Sequence, residues 1–188
     1  PLDMRMNNRS GITAERWLQS VNKKDLAEVL HTYGEERYAN RIAGAIVAAR
    51  KQIAIDSTKK LAALVQKVVP TREPDKHPAT RTFQAIRIFI NRELQDLKSV
   101  LDQVVDALAP GGRLAVISFH SLEDRMVKRF IRNEVKGDPY PSELPIMHEQ
   151  LNPRMKIIEK SIRPDDREIA ANPRARSAVL RIAEKLPA

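Results

Sequence analysis

The sequence predicts an α/β protein in two parts, an all-helical block followed by one half of a sheet with its covering helices. Three observations predict it. Residues 13–69 place apolar side chains at three- and four-residue steps and show no strand-like alternation. Residues 79–108 carry the same period and stop at Pro110-Gly111-Gly112. The apolar run that follows, 114–119, then reads as a buried strand entered from a helix end, the second half of a βαβ crossover, with polar residues at the rim where open α/β sheets bind ligands.

The elements follow in order. Thr13 is placed to cap a first helix through Leu18. Asn22 caps a second over 23–33, with Leu26, Val29 and Leu30 on one face and Gly34 as its stop. Residues 35–52 carry Tyr38, Ile42 and Ile46 at four-residue steps, widened by Ala39, Ala43 and Val47. Asp56 or Ser57 caps 58–69, and Pro70 ends it. Residues 71–78 hold Pro74 and Pro78, directly after Pro70, and read as a loop or boundary. One long helix is expected over 79–108, a strand over 113–119, and a helix over 121–135 capped by Ser121, with Glu123 and Asp124 favoured in its first turn by the helix dipole. Residues 137–153 read as loop. Strands are expected over 155–162 and 177–184, separated by a helical turn over 165–171 and pairing antiparallel at one sheet edge. A strand edge left open at 113–119 invites pairing with another chain, so a homodimer or domain exchange is expected.

Composition narrows the function classes. The 188 residues contain no cysteine, which excludes disulfides and thiolate metal sites, and His31, His77, His120 and His148 form no helical metal-ligand pair. No apolar run approaches the roughly 20 residues that cross a bilayer, and a reducing cytoplasm is the simplest compartment. Thirty-three Lys and Arg against 24 Asp and Glu leave a net charge of +9, which favours a polyanion, nucleic acid ahead of a membrane surface. The excess is spread over both halves of the chain, so folding has to gather any binding face. The opening residues read as an interior loop cut open, with an upstream portion expected before Pro1.

Four segments read together carry a closer likeness: Pro1-Leu2-Asp3-Met4-Arg5-Met6, Lys76-His77-Pro78-Ala79-Thr80-Arg81-Thr82-Phe83-Gln84-Ala85, Ile117-Ser118-Phe119-His120-Ser121-Leu122-Glu123-Asp124-Arg125, and Asn172-Pro173-Arg174-Ala175-Arg176-Ser177. In these the chain resembles the ribosomal RNA small subunit methyltransferase H family, whose members methylate the N4 amine of a cytidine in 16S rRNA. The likeness runs through nearly the whole chain and is least family-like over 137–166. It implies the C-terminal half of a class I, Rossmann-like methyltransferase sheet with an inserted all-helical subdomain: residues 1–11 a residual loop, 12–72 the helical substrate-recognition insert, 73–188 the sheet half. It implies S-adenosyl-L-methionine as methyl donor, bound without a metal, and 16S rRNA as partner. Family members carry their Gly-rich donor loop ahead of the Pro1 segment. Gly111-Gly112 precedes a strand instead of following one, so it does not present amides at a helix start. The donor site is therefore expected upstream, and the chain alone is expected to be inactive.

Candidate site residues follow from the chemistry. An amine acceptor needs its hydrogens held by acceptors and its base clamped by a ring. Asp138-Pro139-Tyr140-Pro141 mimics the acidic and aromatic pattern of amino methyltransferases, but it follows a helix and reads as a turn. Asp3 is the catalytic candidate, against the plainer role of pairing with Arg5. Trp17, the single tryptophan, is a candidate for stacking on a flipped cytosine, against burial in a helix face. His120 and Ser121 are candidates for the substrate side, and Glu123 and Asp124 for capping. Lys76, His77 and Arg81 at a helix start, and Arg174 and Arg176 in the Asn172-Pro173 loop, are phosphate candidates, against ordinary ion pairs with Glu73, Asp75 or Glu168. The alternatives from other classes are a non-catalytic RNA-binding module and a helical protein-interaction module.

Overall fold

The computed structural model describes residues 1–70, 77–138 and 151–187. Its contacts divide the chain into two compact units, Pro1–Glu93 and Leu94–Ala188. The division therefore falls after Glu93, where the sequence places a boundary at 72/73, because the helix that opens the expected second part packs into the first.

The first unit is helical: α1 (Ala14–Ser20), α2 (Lys23–Gly34), α3 (Ala39–Ala49), α4 (Thr58–Val68) and α5 (Thr80–Asn91). The side chains of Thr13, Asn22 and Ser57 accept from the third backbone N–H of α1, α2 and α4, satisfying amides that the helices leave unpaired. The expected stripes are buried: Leu26 and Leu30 from α2, Ile42 and Ile46 from α3, Leu61 and Val65 from α4, Ile86 from α5. Arg50 closes the far end of α1 by donating from one guanidinium nitrogen to the carbonyls of Leu18 and Val21, at 2.7 and 2.6 Å.

Two expectations are corrected here. Gly34 does not end α2 but is its last helical residue, and Glu35 takes the left-handed conformation instead, φ 48°. The glycine serves a close approach: a Cβ built on Gly34 lies 2.7 Å from the carbonyl oxygen of Arg81 in α5. The single helix over 79–108 is two, α5 and α6 (Glu93–Ala107), broken at Arg92 with φ 54°. The Asn91 amide explains the break. Its nitrogen donates to the carbonyls of Met4 and Arg87 at 2.8 and 2.9 Å, and its oxygen accepts from the Met6 N–H at 2.7 Å. Arg87 and Glu93 clasp across the turn through two bonds of 2.8 and 2.9 Å.

The second unit contains the rest of α6, then β1 (Arg113–Ser118), α7 (Ser121–Lys136), β2 (Met155–Ile162), α8 (Asp166–Ala171), a 3-10 turn (Pro173–Ser177) and β3 (Val179–Lys185). The sheet order is β1-β3-β2. β3 runs antiparallel to both neighbours, from Arg113↔Glu184 to Ser118↔Val179 against β1 and from Met155↔Lys185 to Ile162↔Leu180 against β2. The last two strands are antiparallel neighbours as the sequence predicts. β1 and β2, each opposed to β3, share one direction with α7 between them in the chain, a crossover with β3 slotted into its middle. Leu114 and Ala183 face Leu101 and Val105 of α6 and Val127 and Ile131 of α7 in one core. The opposite face leaves Ile117 and Phe119 more than half exposed, and the other edge of β1 is unpaired among the described residues. On that face Glu184 accepts from Lys156 at 2.7 Å and Arg113 at 3.1 Å, and these cations, Lys156 first, lower its pKa.

Gly34→Ala is predicted to destabilise the chain by about 1–3 kcal/mol, because the new methyl meets backbone that does not swing aside. In urea unfolding the midpoint falls at unchanged m-value; an unaltered midpoint contradicts the close approach.

Candidate functional site

In the helical unit the chain start forms an extended segment tied to its neighbours. The Leu2 N–H donates to Asp56, and the Leu2 and Asp3 carbonyls accept from the N–H groups of Glu15 and Ala14, all at 2.8–2.9 Å. Leu2 is 1% exposed. These anchors fix Asp3, whose two carboxylate oxygens accept from Arg5, Nε at 2.7 Å and the terminal nitrogen at 2.9 Å. The Arg5 guanidinium holds the Asp3 pKa below the usual carboxylate range. The structure thus gives Asp3 its plainer sequence role. For it to hold an amine's hydrogens, the fork of Arg5 has to release it.

Trp17 joins the helical core and packs against Phe89, ring centroids 4.5 Å apart and planes 32° from parallel. The same pair walls a cleft of about 340 Å³, completed by Val21 of the α1–α2 turn, Asp25, Glu28, Val29, Thr32 and Tyr33 of α2. Burial and cleft-lining are therefore not alternatives at this position. Phe89 escapes a reading of the sequence because it lies beside the stripe through Ile86 and Ile90. Its only local signal is an aromatic residue where an amphipathic helix has a choice.

Of the phosphate candidates near α5, Lys76 lies outside the described residues. The exposed His77 accepts from the Ala79 N–H through Nδ1 at 3.1 Å, a bond within the turn that leads into α5. Arg81 donates to the Glu35 carbonyl at 3.1 Å and closes the left-handed end of α2. Both side chains are engaged within the helical unit.

In the sheet unit the cap of α7 is His120, not Ser121. His120 is extended (φ −141°, ψ 163°), and its Nδ1 accepts from the Glu123 N–H while the Glu123 carboxylate accepts from the His120 N–H at 3.3 Å. The carboxylate takes the Phe119 N–H as well, at 2.8 Å. This reciprocal arrangement is a capping box with imidazole in the usual hydroxyl's place. Ser121 is then the exposed first residue of α7. Asp124 is bound by Arg181 of β3 through two bonds of 2.7 and 3.0 Å, which fasten the helix to the sheet. Arg174 and Arg176 sit exposed on the 3-10 turn that Asn172 opens by accepting from the Arg174 N–H at 3.2 Å. Neither pairs with Glu168 or with any other acid among the described residues. Of the Asp138-Pro139-Tyr140-Pro141 string, only Asp138 is described, two residues past the end of α7. Sequence reasoning passed over one feature of this unit: Lys128, Arg129, Arg132 and Lys136 of α7, all exposed and recurring at helical spacing.

A nucleotide-type donor requires free amides at a glycine turn, and the turn present here is occupied. The Gly111 N–H donates to the Lys185 carbonyl at 2.9 Å and the Gly112 N–H to the Ala109 carbonyl at 2.8 Å. The Gly111-Gly112 turn does not fit a donor-binding loop.

The chain thus carries an α/β sheet unit with a capped α7 and a helical unit with an aromatic-walled cleft. The chain matches the MraW methylase family over residues 1–186 and belongs to that family. Among similar proteins, the ribosomal RNA small subunit methyltransferase H of Thiobacillus denitrificans is 56% identical over 187 residues, 99% of this chain and 60% of the relative. That of Chromohalobacter salexigens is also 56% identical, over 99% of this chain and 56% of the relative. The protein of the same name from Aromatoleum aromaticum is 55% identical, over 98% and 60%. The chain thus spans less than two thirds of the length of these relatives.

The Asp3–Arg5 fork makes a pH prediction. A carboxylate whose folded pKa is depressed stabilises the folded state above its unfolded pKa, and this contribution fades as the pH falls through the folded value. In an NMR titration Asp3 should protonate below the ordinary carboxylate range in the wild type and move up toward it in Arg5→Gln. An unshifted midpoint contradicts the fork.

Proposed function

We propose that this chain is the RNA-holding part of an enzyme that methylates the N4 amine of a cytidine in 16S rRNA with S-adenosyl-L-methionine, in the cytoplasm where small subunits assemble. The observation that carries the reading is the 55–56% identity, along nearly the whole chain, to proteins named ribosomal RNA small subunit methyltransferase H. The cleft beside Trp17 and Phe89 supports it. At about 340 Å³ it falls within the usual range for small-molecule sites, and it offers aromatic surface to a base turned out of its stack. The exposed Arg174 and Arg176 support it as phosphate contacts, and the exposed Ser121 hydroxyl at the end of β1 as a substrate-side group. Asp3 enters as the acceptor only if the substrate displaces Arg5.

The donor belongs to the part of the relatives that this chain does not span, which agrees with the occupied amides of Gly111 and Gly112. No step of methyl transfer is assigned to the residues described, and the chain alone is inactive in this reading. The open edge of β1 is the place where further strands, or a second copy of the chain, would add.

Two measurements test the proposal. Titration calorimetry with S-adenosyl-L-methionine should show no binding by the 188 residues, and a micromolar dissociation constant overturns the placement of the donor site. Binding to transcribed 16S rRNA should fall steeply with added salt; weak, salt-insensitive binding overturns the RNA reading and favours a protein-interaction module.

A further inference from the structure

Helix α7 sorts its charges by side. At 100° per residue, Arg125, Lys128, Arg129, Arg132 and Lys136 fall within an arc of about 100°, and no carboxylate shares it. The acids of the helix are held elsewhere: Asp124 by Arg181 at 2.7 Å, Glu134 near the Arg154 Nε at 3.5 Å, and Glu123 in the capping box. Lys128, Arg129, Arg132 and Lys136 are exposed and make no ion pair among the described residues. Solvated helix faces ordinarily relieve such charge with acids three or four residues away. Here the four-residue neighbours are Lys128 with Arg132 and Arg132 with Lys136, which repel one another until an anion lies along them.

A cleft of about 380 Å³ opens beside this arc, within the same unit. Its floor is Ile131 and the half-exposed Ile157 of β2, and Lys128, Arg132 and Lys160 stand around it with Ser161 and one acid, Glu159, whose carboxylate accepts from the Lys160 N–H at 3.2 Å. Arg181, also in its wall, is spent on Asp124 and on the Lys160 carbonyl. An apolar floor under a rim in which Lys128, Arg132 and Lys160 outnumber the single acid Glu159 fits an anion that carries a flat apolar body, and phosphates flanking a base have that form. From Lys128 to Lys136 the helix rises about 12 Å, long enough for its cations to meet successive phosphates of one strand. An anionic lipid surface fits less well, because the arc carries no large apolar side chain to insert.

We propose that the α7 arc is an RNA-backbone docking surface, with phosphates along Lys128, Arg129, Arg132 and Lys136 and one nucleotide seated over Ile131 and Ile157. This rests on the reading of the chain as rRNA-binding and adds a contact separate from the Trp17 cleft.

The test measures binding of labelled 16S rRNA by the 188-residue chain across a salt series. It compares the wild type, Lys128→Gln/Arg132→Gln/Lys136→Gln, and Lys24→Gln/Lys59→Gln/Lys67→Gln, which removes equal charge from exposed sites of the helical unit. Circular dichroism verifies that each variant folds. At about 0.7 of a logarithmic unit of salt slope per single-strand phosphate, the α7 triple should lose about 2 from the slope and roughly 50-fold in affinity at 0.15 M salt. The control should change by less than about threefold. Ile157→Ser should weaken binding with the slope unaltered, as loss of a stacking floor does. Equal losses in the two triples, or none in the α7 triple, overturn the proposal and leave the rRNA reading standing. Failure of the wild type to bind rRNA overturns both. Binding to phosphatidylserine vesicles that depends on the α7 cations, with rRNA affinity unaffected by the triple, assigns the face to lipid and overturns it as well.

Discussion

The side-chain amide of Asn91 is the joint on which the helical unit turns. It makes three hydrogen bonds, two given and one taken, and so uses most of what an amide can offer. Two of them reach Met4 and Met6 at the far end of the sequence. Each is worth only about 1 kcal/mol net, yet together they decide where the extended start of the chain lies. That start carries Leu2 into the core and holds Asp3 where Arg5 can fork it. The same amide sits at the last residue of α5, two positions after Phe89, so the wall of the Trp17 cleft and the anchoring of the N-terminal segment share one helix end.

The second constraint is the disposition of charge. The sequence spreads its net +9 evenly, but the fold does not. Carboxylates become internal ties: Asp3 to Arg5, Glu93 to Arg87, Asp124 to Arg181, and Glu184 between Lys156 and Arg113. Exposed pairs of this kind add little stability, and their larger effect is to remove negative charge from the faces that remain. Cations with no acid partner among the described residues then stand outward on α7 and on the turn from Pro173 to Ser177, while Asp96, Glu159, Asp165, Asp166 and Glu168 are exposed elsewhere in the sheet unit. The basic face of α7 is made by cations that recur at helical spacing, on a side that the acids of the helix do not share.

Much of the fold was legible because it rests on local chemistry. Thr13, Asn22 and Ser57 announce helix starts through hydrogen bonds that span three residues, and the apolar alternation near the C-terminus announces β2 and β3. What escaped depends on distant partners. The apolar period through Ile86, Ile90, Leu94 and Leu97 runs unbroken across Arg92, so no local pattern marks the end of α5, which is set by a bond to Met4. Gly34 looks like a stop and is a contact, because the backbone of Arg81 belongs to another helix. The site divides in the same way. Trp17 stands out by its type, whereas Phe89 does not. Arg81 looks like a phosphate ligand and is a helix closure, since a guanidinium near a helix start has the same appearance whether it faces an anion or a neighbouring carbonyl. The capping role of His120 was not legible, because a capping box with histidine in the leading position departs from the usual Ser or Thr.

The central claim is that the faces left cationic after the acids are tied inward are the faces that meet RNA. Ultraviolet cross-linking of the chain to 16S rRNA, with the linked peptides identified by mass spectrometry, measures this most directly. Linked peptides should come from α7 and from the Asn172–Ser177 turn. Links confined to the other exposed lysines of the helical unit, around Lys51, Lys59 and Lys67, would contradict it.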